Sequence, residues 1–128
     1  MEELKRIMLV EDDEDIQEIV KLSLSLIGGF SVFGFTSGED ALNNVLKVKP
    51  QLILLDVMIP SMDGPTTLKK MKLMPEAAQI PVFFITAKVQ PYEIESYEKM
   101  GVLGVISKPF DPMTLSQLVL QLWKKNKK

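Results

Sequence analysis

Glu11, Asp12, Asp56, Thr86 and Lys108 have the side-chain types that handle phosphoryl groups and hard metal ions, and each stands at the end of a short apolar run. Arg6-Ile7-Met8-Leu9-Val10 leads into Glu11-Asp12-Asp13, and Leu52-Ile53-Leu54-Leu55 into Asp56. Val82-Phe83-Phe84-Ile85 leads into Thr86, and Val102-Leu103-Gly104-Val105-Ile106-Ser107 into Lys108-Pro109. Three carboxylates gathered at one place repel one another and raise a pKa unless a cation is present. Oxygen ligands without His or Cys favour Mg²⁺, which keeps waters and is completed by phosphate oxygens. A carboxylate can also be the acceptor in phosphoryl transfer, forming an acyl phosphate. The transition state of that transfer spreads charge over three oxygens, which a fixed lysine and a hydroxyl stabilise. Each residue alone has a plainer reading: Glu11 and Asp12 as helix N-terminal acids that complement the dipole, Lys108 as a surface lysine, Thr86 as a strand-end residue. Asp56 resists such a reading, because Asp is disfavoured in strands and rarely buried unless paired.

The elements that must carry these residues alternate from end to end. Continuous apolar runs of this length suit strands of a parallel sheet buried on both faces. In such sheets ligands bind beyond the carboxyl ends of the strands, where the strand order reverses. After the first strand, Ile16, Ile19, Val20, Ser23, Leu24 and Ile27 follow one helical face, stopped by Gly28-Gly29. A second strand over 30–35 precedes a helix start at Ser37-Gly38-Glu39-Asp40, whose buried stripe is Ala41, Leu42, Val45 and Leu46. The third strand ends at Asp56 and enters the turn-rich Met58-Ile59-Pro60-Ser61-Met62-Asp63-Gly64, with Pro65 in the first turn of a helix carrying Leu68 and Met71. Pro81 opens the fourth strand and Gln90-Pro91 a helix that ends at Gly101. Asp111 reads as an N-cap with Pro112 at the first helical position, before a helix with Leu115, Leu118, Val119, Leu122 and Trp123 on one face. Five strand–helix units in succession predict an α/β doubly wound sandwich with a parallel sheet.

At 128 residues with 46% hydrophobic and 25% charged residues, the chain has the profile of one globular domain. The formal net charge of −2 argues against general attraction to nucleic acid. The absence of Cys excludes disulfides and thiolate chemistry, and the absence of His removes the usual base, the usual zinc ligand and any phosphohistidine of its own. No stretch of the sequence approaches a membrane span, and the acidic Met1-Glu2-Glu3 does not open like a signal peptide, so a cytoplasmic location is expected. The closing Lys124-Lys125-Asn126-Lys127-Lys128 reads as a solubilising helix end that complements the dipole. Gly29 to Gly34 has the opening spacing of a P-loop, but Phe35 stands where that motif needs Lys.

Over residues 6–123 the chain resembles a receiver domain of a two-component response regulator, the flavodoxin-like module that accepts phosphate from a histidine kinase. Val10-Glu11-Asp12-Asp13 resembles the acidic pocket, and Leu54-Leu55-Asp56-Val57-Met58-Ile59-Pro60-Ser61-Met62-Asp63-Gly64 the phosphoacceptor loop. Ile85-Thr86-Ala87 and Lys108-Pro109-Phe110 resemble the switch hydroxyl and the lysine–proline motif.

This resemblance implies a flavodoxin-like (βα)5 three-layer sandwich with a five-stranded parallel sheet, residues 1–128 forming a single receiver. It implies Asp56 as phosphoacceptor and Mg²⁺ held by Asp12, Asp56, the Met58 backbone carbonyl and, through water, Glu11. Lys108 is expected to pair with Asp56 and then with the phosphoryl group, across a cis Lys108-Pro109 bond, while Thr86 moves to the phosphoryl oxygen. The expected partners are a sensor histidine kinase or histidine phosphotransfer protein and a downstream protein target, met through the face of the fourth helix, fifth strand and fifth helix. Tyr92 and Tyr97, read as exposed, are candidates for that face, with a structural role for either as the equal alternative. An aromatic often found three residues before the lysine is Val105 here, whose β-branched side chain has little rotamer freedom. A stand-alone regulator is the leading expectation, with a receiver cut from a hybrid kinase or longer regulator as the alternative. An Mg²⁺-dependent phosphatase with an aspartyl nucleophile is a second class. Such enzymes usually carry a second Asp two residues after the nucleophile, where Met58 stands. A pseudo-receiver that binds partners without phosphorylation, typically lacking the acceptor or the lysine present here, is a third.

Overall fold

Five strands, β1 (Arg6–Val10), β2 (Ser31–Phe35), β3 (Leu52–Asp56), β4 (Val82–Thr86) and β5 (Gly104–Ser107), form one parallel sheet in the order β2-β1-β3-β4-β5. They do so in a computed structural model that describes residues 2–126. Lys127 and Lys128 of the basic tail lie outside the described residues. β3 and β4 are buried at every position, as the unbroken apolar runs require of central strands. The chain leaves β1 for β2 on one side and returns to β3 on the other. The carboxyl ends of β1 and β3 therefore flank the point where the strand order reverses.

Successive side chains along a strand point to opposite faces, which divides the core in two. On one face Met8, Val10, Ile53, Leu55 and Phe84 pack under α2 (Gly38–Val48), α3 (Gly64–Lys72) and α4 (Pro91–Lys99), whose Ala41, Val45, Leu68, Met71 and Tyr97 meet them. On the other, Ile7, Leu9, Leu54, Phe83, Ile85 and Ile106 pack under α1 (Glu14–Leu22), the turn that continues it (Ser23–Ile27) and α5 (Leu115–Lys125) through Val20, Leu24, Val119 and Trp123. The three layers agree with the expected α/β sandwich.

The helix starts follow the local chemistry. Asp13 caps α1 by accepting from the Asp15 and Ile16 N–H groups, Ser37 caps α2 through Asp40, and Asp63 caps α3 through Thr66 with Pro65 in the first turn. Gly29 and Gly101 take the left-handed backbone just past the helices before β2 and β5.

Six residues depart from expectation. α1 continues into a π-helical turn, Ser23–Ile27, whose wider winding carries Ile27 off the buried face, and Ile19 is also turned outward beside Val20. Leu46 and Leu118 lie on the flanks of their helices and are partly exposed, because the i, i+4 rows Ala41–Val45 and Leu115–Val119–Trp123 take the sheet. Asp111 does not cap α5: its carboxylate accepts the Met113 N–H at 2.9 Å in a turn that precedes the helix, and Thr114 occupies the cap. Tyr97, a candidate for the exposed face with Tyr92, is 7% exposed, its ring edge-on to Phe84 with centroids 5.3 Å apart. Tyr92 is 72% exposed.

Leu54 is fully buried at the centre of the sheet. Leu54→Ala is expected to cost about 2–5 kcal/mol through lost burial and a residual cavity, whereas Leu118→Ala costs less than about 1 kcal/mol. Urea unfolding of both variants checks the contrast.

Candidate functional site

The site forms where β1 and β3 end. Asp56 is the last residue of β3 and 3% exposed, fixed by pairing on both sides of its strand. One carboxylate oxygen accepts the Met58 N–H at 3.1 Å, and the other accepts the Lys108 ammonium at 3.0 Å. Glu11, 2% exposed, places Oε1 3.2 Å from the same ammonium, and Oε2 accepts the Asp13 N–H at 3.1 Å. Asp12 is exposed beside them, and carboxylate oxygens of Glu11, Asp12 and Asp56 lie within 4.8 Å of one another. One lysine therefore bridges two of three clustered carboxylates.

Each partner reaches the site for a local reason. Lys108 follows β5, where its N–H continues the ladder to the Thr86 carbonyl at 2.9 Å, and the Lys108-Pro109 peptide is cis as expected. Thr86 ends β4 fully buried, its hydroxyl accepting the Lys88 N–H at 3.0 Å. Met58 lies on the loop after β3, its backbone turned to Asp56 and its side chain 62% exposed. Gly64 closes that loop by donating to the Val57 carbonyl at 3.0 Å. A Cβ there would sit 2.6 Å from the Asp56 carbonyl oxygen and 2.9 Å from the Val57 Cα, so only glycine allows α3 to start against the end of β3.

Burial pushes the Glu11 carboxyl up to about 7, and the nearby Asp56 charge adds to this against the Asp13 N–H and Lys108, which favour the ionised form. For Lys108, burial acts downward but is outweighed by the hydrogen bond and charge of Asp56 and then of Glu11, so the ammonium is held above its ordinary value. The all-oxygen donor set, with an excess of negative charge that one lysine leaves uncompensated, fits a hard divalent cation. An apolar cleft of about 390 Å³ adjoins the site, lined by Ile16, Ile19, Ala87, Pro109, Phe110 and Pro112 with Lys108.

Glu11, Asp12, Asp56 and Lys108 are thus brought together as the sequence suggested, with Thr86 at the end of the neighbouring strand. Sequence reasoning missed Gln17, whose side-chain N–H groups reach the Glu11 carbonyl at 3.1 Å and the Phe35 carbonyl at 3.0 Å. This ties the ends of β1 and β2 to α1. A polar residue on a solvated helix carries no periodic signal, so nothing in the spacing marks it. The Tyr97 hydroxyl bond to the Lys88 carbonyl, 3.2 Å, was equally hidden, although an aromatic on α4 was visible.

Residues 7–120 match the family model of the response regulator receiver domain. The sporulation initiation phosphotransferase F of Bacillus subtilis is 35% identical over 107 residues, covering 84% of this chain and 84% of that protein. The alkaline phosphatase synthesis transcriptional regulatory protein PhoP of the same organism is 30% identical over 115 residues, 90% of this chain but 47% of its own length. The chain spans about half the length of most of the curated relatives it matches. Among solved structures, Vibrio cholerae chemotaxis protein CheY4 superposes with a TM-score of 0.85 over 94% of this chain and 99% of that one, at 24% identity, a likeness of fold.

The Glu11 carboxyl rises from its ordinary 4.5 to about 7 on folding, so between these values the folded state holds a proton that the unfolded state has lost. Stability from this group is complete below pH 4.5 and is lost as pH rises toward 7, on the order of 3 kcal/mol in the absence of divalent cations. Glu11→Gln is expected to flatten that fall, measured by urea unfolding at a series of pH values.

Proposed function

The chain belongs to the response regulator receiver family, and from that premise we propose that Asp56 is its phosphoacceptor, charged by a phosphohistidine of a sensor histidine kinase or histidine phosphotransfer protein. Receiver domains are signalling modules of two-component systems rather than metabolic enzymes, and they bind Mg²⁺ through an acidic pocket. The observation that carries the assignment is the Lys108 ammonium seated between Asp56 and Glu11 at the sheet edge.

In this reading an Asp56 oxygen attacks the phosphorus, the phosphorus–nitrogen bond breaks, and its electron pair leaves on the imidazole of the donor. A carboxylate nucleophile calls for no general base from the chain, which suits a sequence without His or Cys. Lys108, kept protonated by its two carboxylates, stays in place to meet the charge of the transferred group. Asp12, Asp56 and the Met58 carbonyl would hold Mg²⁺, with Glu11 acting through water. The ion neutralises phosphoryl oxygens when bound. Thr86 would turn its hydroxyl from the Lys88 N–H to the phosphoryl oxygen. Thr86, Lys108 and Asp56 thereby share one task across three strands, and promoting its own phosphorylation and dephosphorylation is the chain's only chemistry.

The apolar cleft beside Lys108 supports docking of the phosphodonor there. Output would pass to a protein target through α4, β5 and α5, with Tyr92 offered to it. Residues 1–128 act as one receiver in a cytoplasmic setting. No helix among the described residues is long and apolar enough to cross a membrane. The half-length overlap with the regulators it matches favours a second reading, in which the same receiver works as part of a longer regulator. The phosphatase alternative lacks its acid, since Met58 stands in that place.

Incubation with Mg²⁺ and acetyl phosphate should give one equivalent of acid-labile phosphate, and Asp56→Asn should take up none. Uptake by Asp56→Asn, or sustained turnover of acetyl phosphate, contradicts the assignment. Hydrolysis of the acyl phosphate needs a water aligned opposite the Asp56 oxygen, and Met58 offers it no strong hydrogen bond while Lys88 is a donor only. Met58→Asn, which supplies donor and acceptor, should shorten the lifetime of the phosphorylated protein several-fold, followed by loss of bound phosphate with time. An equal or longer lifetime in the variant would show that Met58 does not limit water access.

A further inference from the structure

The backbone of Lys88 is held on both sides by side chains of different elements. Its N–H donates to the Thr86 hydroxyl at 3.0 Å, and its carbonyl accepts the Tyr97 hydroxyl at 3.2 Å. Thr86 ends β4, whereas Tyr97 lies in the second turn of α4, so a two-residue step of backbone joins the strand end to the helix. The Tyr97 ring is locked independently. It is buried and stands edge-on to Phe84 at 82°, with centroids 5.3 Å apart, and Phe84 lies two residues before Thr86 on the same face of the sheet. A ring fixed in this way cannot follow its hydroxyl freely, so movement of the Lys88 carbonyl must be borne by α4 or must break the bond. On β5, opposite Phe84 in register, the side chain is Val105, which has no hydroxyl and a restricted rotamer.

We propose that Tyr97 is a positioning residue that couples Thr86 to α4 through the two bonds on Lys88. The proposal rests on the reading of Asp56 as phosphoacceptor with Thr86 turning toward it. When the Thr86 hydroxyl turns, the Lys88 N–H either follows it or loses its acceptor. In both cases the turn after β4 moves, and the carbonyl that Tyr97 holds moves with it. α4 thereby registers the state of the strand end without an aromatic on β5. The half-buried setting of the bond matters, because a hydroxyl–carbonyl bond shielded from water is not readily replaced by solvent.

Backbone amide NMR spectra recorded with and without Mg²⁺ and acetyl phosphate test this, together with measured phosphate uptake. Tyr97→Phe keeps the ring on Phe84 and removes only the hydroxyl. It should take up one equivalent of phosphate and keep the phosphorylation-induced shift of the Lys88 amide, while the shifts of amides 91–99 fall to less than half of the parent's. Thr86→Ala should reduce the α4 shifts similarly, and adding Tyr97→Phe to it should reduce them no further. Tyr97→p-aminophenylalanine, which restores a donor on the same ring, should recover them. A merely structural Tyr97 would alter melting temperature and leave the α4 response intact. Parent-like α4 shifts in Tyr97→Phe, full further loss in the double variant, or no recovery with the restored donor each overturn the coupling. Absence of phosphate uptake in every protein would instead overturn the Asp56 reading.

Discussion

Negative charge concentrated at a single sheet edge is the constraint on which the site depends. Two buried carboxylates and a third exposed one converge there, and one ammonium bridges the two buried ones. A buried charge without a partner costs several kcal/mol, so Lys108 offsets part of the cost of seating Asp56 and Glu11 at their strand ends. The balance is deliberately incomplete: two counter-charges would have closed the pocket, whereas one leaves it attractive to a divalent cation and to a group that carries its own oxygens. The burial that pushes the Glu11 carboxyl up to about 7 also strengthens its interactions with Asp56 and Lys108.

That concentration is a product of topology. Only the reversal of strand order between β1 and β3 opens the crevice, and only full burial of β3 and β4 makes their ends rigid enough to hold side chains at hydrogen-bond distances. Gly64 is the local expression of this economy, since the backbone of Asp56 and Val57 occupies the space that any Cβ would need. Gln17 adds a second tie from α1 to the ends of β1 and β2. The fold therefore supplies placement and exclusion of water, and the five polar residues supply the chemistry.

Much of this was legible from the residue order. Unbroken apolar runs identified the central strands, and a polar residue at the end of each run placed the site, because strand ends at a reversal of order must lie together. The helix start at Ser37 and the place of Pro65 in the first turn of α3 followed from capping and turn chemistry. What could not be read depended on packing between distant elements. The outward turn of Ile27 comes from a π-helical turn that periodicity does not announce. The displaced start of α5 comes from Asp111 satisfying the Met113 N–H within a turn rather than a helix, two fates for one side chain that the local sequence does not distinguish. Tyr97 was misjudged as exposed because a helix with weak amphipathicity hides which of its tyrosines meets Phe84.

The central claim is electrostatic, that Lys108 partly neutralises the carboxylates that also attract the cation, and titration calorimetry with Mg²⁺ addresses it most directly. The account predicts weak binding by the parent protein, with a Kd near the millimolar range, or about −4 kcal/mol. It further predicts tighter binding by Lys108→Met, several-fold at low ionic strength, because the ion would then be the sole neutraliser of Asp56 and Glu11. Unchanged or weaker binding in Lys108→Met, or sub-micromolar affinity in the parent, would contradict it.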